Sequence, residues 1–225
     1  MNAADQIPGK SQVLLVEDHP MFREQLVQLI NKQPDMQVCG EADNTRDALQ
    51  LVESNPPDIV IVDLTLNGSN GLELIKDLKA RQISVPVLVL SMHDELLYAE
   101  RVIRAGARGY ITKHEASNEV MLAIRKVLNG QIYLGGHMAS RVLEGFSSHP
   151  KQVSGMSLLT DRELEVFELI GRGRTSREIS GSLHLGMSTI DTYRARIKAK
   201  LNLENASQLA HEAIRWVSAG QKASL

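Results

Sequence analysis

Four short apolar runs, each closed by a residue able to do chemistry, constrain this chain more than any other feature. Val13-Leu14-Leu15-Val16 ends in Glu17-Asp18, and Ile59-Val60-Ile61-Val62 ends in Asp63. Val87-Leu88-Val89-Leu90 ends in Ser91, and a later run ends in Lys113. Unbroken, β-branched runs of this length are expected of strands buried on both faces of a parallel sheet. Neighbouring parallel strands end on the same side, so three carboxylates, a hydroxyl and a lysine would gather at one edge. A carboxylate cluster needs a cation to neutralise it, and oxygen ligands of this kind suit Mg²⁺. An acidic pocket with one hydroxyl and one lysine is suited to handling a phosphoryl group.

Between the runs lie helical patterns at 20–32, 45–54, 71–81, 95–104 and 116–129. Five strand–helix units in series predict an α/β fold, a doubly wound (βα)5 sheet of the flavodoxin-like kind. Ligands of such sheets sit beyond the carboxyl ends of the strands, where Glu17, Asp18, Asp63, Ser91 and Lys113 all map. Asn129-Gly130 closes the last helix. The stretch 131–155, with Gly135-Gly136, Pro150 and Ser154-Gly155, reads as a linker that can hold a short helix over 137–146. These boundaries give a first domain at 10–130 and a second at 156–220.

The second part loses strand-like runs and is all-α. Thr160-x-x-Glu163 and Thr175-x-x-Glu178 are capping boxes, Ser188-x-x-Asp191 opens a third helix, and a fourth runs over 206–217. Only His184-Leu185-Gly186-Met187 separates the second from the third, a turn of helix-turn-helix length. Charge separates the halves too. Residues 1–149 carry 14 basic against 19 acidic side chains, whereas residues 150–225 carry 11 against 8. A weakly basic module behind an acidic one points toward nucleic acid. The single cysteine, Cys39, excludes an intramolecular disulfide or a cysteine-rich zinc site. The sequence shows neither a membrane span nor a signal-peptide core, which points to a cytoplasmic protein with no membrane partner.

With these residues in view, the first part resembles the response-regulator receiver domain and the second the LuxR-type helix-turn-helix; together they resemble the NarL/FixJ family. The resemblance implies that Glu17 and Asp18 help to hold Mg²⁺ and that Asp63 accepts a phosphoryl group from a sensor histidine kinase. It further implies a metal contact from the Thr65 backbone carbonyl, switch roles for Ser91 and Tyr110, and a phosphoryl-binding role for Lys113. Tyr110 would turn inward on phosphorylation. One departure stands out: receivers usually carry Met-Pro where this chain has Leu66-Asn67, which bears on phosphoryl lifetime, while Gly71 of the same motif is retained. Phosphatases that also form an aspartyl-phosphate need Asp-x-Asp. Here the residues are Asp63-Leu64-Thr65, so turnover of an external ester is disfavoured and no enzyme is expected.

The second resemblance rests on Leu159-Thr160, Arg162-Glu163, Glu165-Val166, Gly173, Glu178-Ile179, Ser188-Thr189-Ile190 and Lys200-Leu201. At about 100° per residue, Ile190, Tyr193, Ile197 and Leu201 share one stripe of the third helix. The opposite face holds Ser188, Thr192, Ala195 and Ala199, flanked by Asp191, Arg196 and Lys198. Small side chains let that face enter a major groove, with Thr192 and Ala195 toward thymine methyls and Arg194, Arg196 and Lys198 toward phosphates or guanine edges. Ser188 and Thr189 at the helix start suit a DNA phosphate. Asp191 reads better as a helix N-terminal partner or cap than as a cytosine reader. In the fourth helix Leu209, Ala213 and Trp216 read as core packing or a dimer seam.

The expected function is therefore a DNA-binding response regulator, phosphorylated on Asp63 and a homodimer when phosphorylated. Its partners would be a sensor histidine kinase and double-stranded DNA, with RNA polymerase a further candidate. The alternative is a phosphorylation-independent transcription factor whose first domain only dimerises.

Overall fold

The computed structural model describes residues 9–66, 69–92, 96–113, 117–135 and 155–222. It divides into two compact units, the first carrying a sheet and the second helices.

The first unit runs β1 (Ser11–Val16), α1 (Pro20–Asn31), β2 (Met36–Ala42), α2 (Thr45–Ser54), β3 (Ile59–Val62), β4 (Thr65–Leu66) and β5 (Ser69–Asn70). It continues through α3 (Gly71–Ala80), β6 (Val87–Ser91), α4 (Leu96–Ala105), β7 (Gly109–Thr112), α5 (Ser117–Leu128) and β8 (Tyr133–Leu134). The main sheet is parallel throughout, in the order β2-β1-β3-β6-β7-β8. All four residues of β3 are buried, as its unbroken Ile-Val-Ile-Val run requires of a central strand. Alternate residues Val13, Leu15, Ile59, Ile61, Leu88, Leu90 and Ile111 pack with Leu26 and Ile30 of α1 and with Val120, Ile124 and Val127 of α5. The intervening residues point to the opposite layer, because a strand's side chains alternate. Local chemistry sets the helix starts. Pro20 opens α1, Asn44 accepts from the Asp47 amide at 2.9 Å, and Asn70 accepts from the Leu72 amide at 2.9 Å.

Two features differ from the sequence reading. The sheet does not end at residue 130: after Gly130 (φ 76°) the chain returns to pair Tyr133 with Gly109 and Leu134 with Tyr110, so the linker starts later than 131. A two-residue strand carries no periodicity to read. It is held by burial of the Tyr133 ring and by the Tyr133 hydroxyl, which donates to Glu119 at 2.8 Å. The second addition is the antiparallel pair β4–β5; residues 67 and 68, and the helix considered over 137–146, lie outside the described residues.

The second unit begins with a 3₁₀ turn at Gly155–Leu158 and continues as α6 (Asp161–Gly171), α7 (Ser176–Ser182), α8 (Met187–Leu201) and α9 (Ala206–Lys222). Both expected capping boxes form. The Glu163 carboxylate accepts from the Thr160 amide at 2.7 Å, and the Glu178 carboxylate accepts from the Thr175 amide at 2.8 Å. Leu164, Phe167, Ile170, Ile179, Ile190, Ile197, Leu209 and Ala213 make the core, and Trp216 tilts against Phe167 with ring centroids 5.8 Å apart. The fourth helix thus packs as core in this unit.

The third-helix start is corrected. Gly186 is the N-cap and α8 begins at Met187, so Ser188 lies inside the first turn and is not the cap. Asp191 is four residues past the helix start, exposed, and beyond the turn where a carboxylate acts on the helix dipole. The preceding turn explains the shift: His184 takes φ 52° and the Ser180 hydroxyl donates to the Leu185 carbonyl at 2.5 Å, which leaves Gly186 in the extended capping conformation. Among the described residues, no helix is long and apolar enough to cross a membrane.

Candidate functional site

Backbone hydrogen bonds carry the sheet register one residue past the strand ends and so fix the side chains there. The Glu17 amide donates to the Ala42 carbonyl at 2.9 Å, that of Asp63 to Val16 at 3.0 Å, and that of Lys113 to Ser91 at 2.8 Å. The result is one compact, buried cluster. Lys113 Nζ stands 2.6 Å from Glu17 Oε2 and 2.7 Å from Asp63 Oδ2, and all three side chains are almost fully buried. Ser91 is buried at the end of β6, and Thr65 is half-buried two residues beyond Asp63. Of the five edge residues named from sequence, Glu17, Asp18, Asp63 and Lys113 therefore meet. Tyr110 is buried, 1% exposed, and stands opposite Val89 in the sheet register.

Three further residues shape the cluster. His19 is the N-cap of α1, and its Nδ1 lies 3.1 Å from Glu17 Oε1 and 2.8 Å from Asp18 Oδ1. Arg23 donates to the Glu17 carbonyl at 2.6 Å and pairs with Glu41 at 3.2 Å. The Phe22 ring lies under Lys113, with Nζ 4.6 Å from its centroid. Sequence reading missed all three. The available signal was positional: Pro20 starts a helix at once, so its first turn must face the same edge as Glu17 and Asp18.

The cluster fits a hard divalent cation. Glu17, Asp18, His19 and Asp63 each offer one ligand atom, all within 4.8 Å of one another. The Asp18 Oδ1 atom is buried without a hydrogen bond, its approach from His19 Nδ1 lacking hydrogen-bond geometry. A buried carboxylate oxygen left in this way costs free energy that a cation would recover. Burial raises the Asp18 pKa above the usual aspartate value, opposed first by His19. A raised folded pKa means that the folded state binds the proton more tightly than the unfolded one. This contribution therefore favours folding at low pH and is lost as pH rises through the folded pKa. Asp18→Asn is expected to raise stability in metal-free buffer at neutral pH by about 1 kcal/mol and to abolish stabilisation by Mg²⁺. Urea denaturation of both proteins with and without Mg²⁺ measures this; equal Mg²⁺ responses would dissociate Asp18 from the cation.

Gly71 is the site's steric keystone. Its amide donates to the Leu64 carbonyl at 2.9 Å, and an added Cβ would stand 2.0 Å from the Asp63 carbonyl oxygen and 2.9 Å from Val62 Cγ2. Backbone cannot yield as a side-chain tip can. Gly71→Ala is expected to cost about 3 kcal/mol in urea denaturation, because the Asp63 peptide must move.

In the second unit, α8 presents the anticipated faces. Ile190 and Ile197 are fully buried and Tyr193 and Leu201 half-buried, while Ser188, Asp191, Thr192, Ala195, Arg196 and Ala199 are exposed. Arg194, Lys198 and Thr189 are half-buried at the margins. The Thr189 amide donates to the Gly186 carbonyl at 3.0 Å, so it serves the cap. Thr192 donates its hydroxyl to the Ser188 carbonyl at 2.8 Å. Lys200 reaches α6 and binds Glu163, fastening the end of α8 to the capping box.

Comparison with known proteins agrees with both units. Residues 13–125 match the response regulator receiver domain, and residues 157–213 match the bacterial regulatory proteins of the luxR family. The response regulator UvrY of Escherichia coli (strain K12) is 34% identical over 203 residues, covering 90% of this chain and 93% of its own. The transcriptional regulatory protein DegU of Brevibacillus brevis is 28% identical over 226 residues, covering 93% of this chain and 96% of its own. A LuxR-family two-component response regulator from Aurantimonas sp. SI85-9A1 has a crystal structure that superposes with a TM-score of 0.58 at 32% identity, over 62% of this chain and 99% of that one. With a CheY-like receiver followed by a LuxR-type helix-turn-helix, the chain belongs to the NarL/FixJ family of two-component response regulators.

Proposed function

We propose that this chain is a transcription regulator switched by phosphorylation of Asp63. The observation that carries the reading is the buried Asp63–Lys113–Glu17 bridge beside the unbonded Asp18 oxygen. Asp63 Oδ attacks the phosphorus of a sensor kinase's phosphohistidine, the P–N bond breaks, and an acyl phosphate forms on Asp63 as the imidazole leaves. Glu17, Asp18, Asp63 and the Thr65 carbonyl would hold Mg²⁺, which when bound would supply neutralisation of the incoming phosphoryl oxygens. Lys113 releases its bond to Asp63 and moves to a phosphoryl oxygen, a shift of charge that costs no new desolvation. Ser91 donates its hydroxyl to another.

The output is binding of double-stranded DNA by the exposed face of α8, with Thr192 and Ala195 toward base edges and Arg194, Arg196 and Lys198 toward phosphates. The names of the relatives UvrY and DegU support a regulatory, transcriptional role. A single small module binds weakly and with strong salt dependence, which favours a phosphorylated homodimer on paired half-sites. Genome-wide DNA occupancy of wild type and Asp63→Ala at matched protein levels tests the reading. Peaks lost in the variant would support a phosphorylation-gated regulator. Unchanged peaks would overturn it in favour of a constitutive binder that uses its receiver only to dimerise.

A further inference from the structure

We infer that His19 contributes an imidazole nitrogen to the cation site, so that the receiver takes ions of the Mn²⁺ class more tightly, relative to Mg²⁺, than a site of oxygens alone. The inference rests on the cation-site reading above. Its starting point is that four ligand atoms gather here, and one of them is a nitrogen.

The geometry supports coordination through Nδ1. The ring atom stands 2.8 Å from Asp18 Oδ1 and 3.1 Å from Glu17 Oε1. Octahedral ligands at about 2.1 Å from the metal lie about 3.0 Å from their neighbours and about 4.2 Å across. The two measured spacings are those of adjacent ligands, and the 4.8 Å span of the group needs only a small contraction around an ion. In this structure the Nδ1 hydrogen bond goes to Glu17 Oε1, a bond that coordination would replace, so hydrogen bonding does not account for the closer approach to Asp18 Oδ1.

The residue is also held in place. His19 is the extended N-cap of α1, followed by Pro20, and its amide donates to Glu17 Oε1 at 3.1 Å. The side chain is 66% exposed, so the Nε2 edge can keep its proton in solvent while Nδ1 gives its lone pair to the ion. Imidazole binds first-row transition ions far better than Mg²⁺, which demands oxygen ligands and retains water. One nitrogen added to three carboxylates therefore changes which ion the site prefers without removing its affinity for Mg²⁺.

The test uses the purified full chain with Mn²⁺ alone, then with Mg²⁺ in competition. Free Mn²⁺ is counted by electron paramagnetic resonance, and nitrogen coordination is read from ¹⁴N modulation of the electron spin echo. Wild type is expected to show imidazole modulation that His19→Asn lacks. The variant's Mn²⁺ dissociation constant is expected to rise about tenfold, with a change of less than about threefold for Mg²⁺. Asparagine keeps a good N-cap, so the start of α1 survives the change. Modulation absent from wild type, or undiminished in His19→Asn, would overturn the inference. So would tighter Mn²⁺ binding by the variant, which would make the ring a competing counter-charge. If either ion binds and Asp18→Asn abolishes that binding, the cation-site reading stands whatever His19 does. If neither ion binds, or Asp18→Asn leaves binding intact, that reading falls and the inference with it.

Discussion

Asp63→Asn is expected to abolish phosphoryl uptake while leaving the receiver folded. An amide has the carboxylate's shape without its nucleophilic oxygen, and Asp63 is fully packed at the end of β3, so shape matters. The asparagine carbonyl can still accept from Lys113 in the position that Asp63 Oδ2 holds at 2.7 Å. Lys113 also keeps Glu17 at 2.6 Å, so no charge is left buried alone. The variant removes one of three crowded carboxylates as well, and the two effects oppose. Stability is expected to stay within about 1 kcal/mol of wild type. Incubation with radiolabelled acetyl phosphate and Mg²⁺ reads the outcome: label enters wild type as an acid-stable, base-labile acyl phosphate, and none enters the variant. Label entering the variant at the wild-type rate would place the acceptor elsewhere in the cluster, with Asp18 the first alternative.

The parts of this site legible in the sequence are those that backbone periodicity fixes. Val13–Val16, Ile59–Val62 and Val87–Leu90 are short, apolar and unbroken, which predicts parallel strands, and parallel strands bring their last residues to one edge. Glu17, Asp63, Ser91 and Lys113 follow from that topology. Residues brought in by the first turn of a helix were not legible. Phe22 and Arg23 reach the edge because Pro20 starts α1 only two residues after Asp18. Their meaning comes from a three-dimensional angle that a linear pattern does not encode. The missed strand at Tyr133–Leu134 is too short for a period, and the misplaced start of α8 followed a serine motif when a glycine in extended conformation was available two residues earlier. Tyr110 shows a further limit: a buried aromatic on a strand is written the same way in sequence whether it moves or stays.

Ala195→Glu is expected to lower DNA affinity by about a hundredfold, roughly 3 kcal/mol, with the second unit fully folded. Ala195 lies near the middle of the exposed face of α8, one helical turn from both Thr192 and Ala199. A glutamate there would add bulk where close approach to base edges is needed and would bring negative charge against the phosphates. It would disturb nothing inside, because the core of this helix is Ile190 and Ile197 on the opposite side. Glutamate is also a good helix former, so thermal stability should change by less than about 0.5 kcal/mol. Arg196→Ala provides the contrast: a lost phosphate contact weakens binding to every sequence alike and flattens its salt dependence by about one unit of slope. Fluorescence anisotropy on a duplex drawn from an occupied promoter, over a salt series, separates the two. If Ala195→Glu binds as wild type does while Arg196→Ala weakens, α8 lies along the backbone and its small-residue face never enters the groove. If both behave as stated, the face of Thr192, Ala195 and Ala199 reads bases and the arginines hold it there.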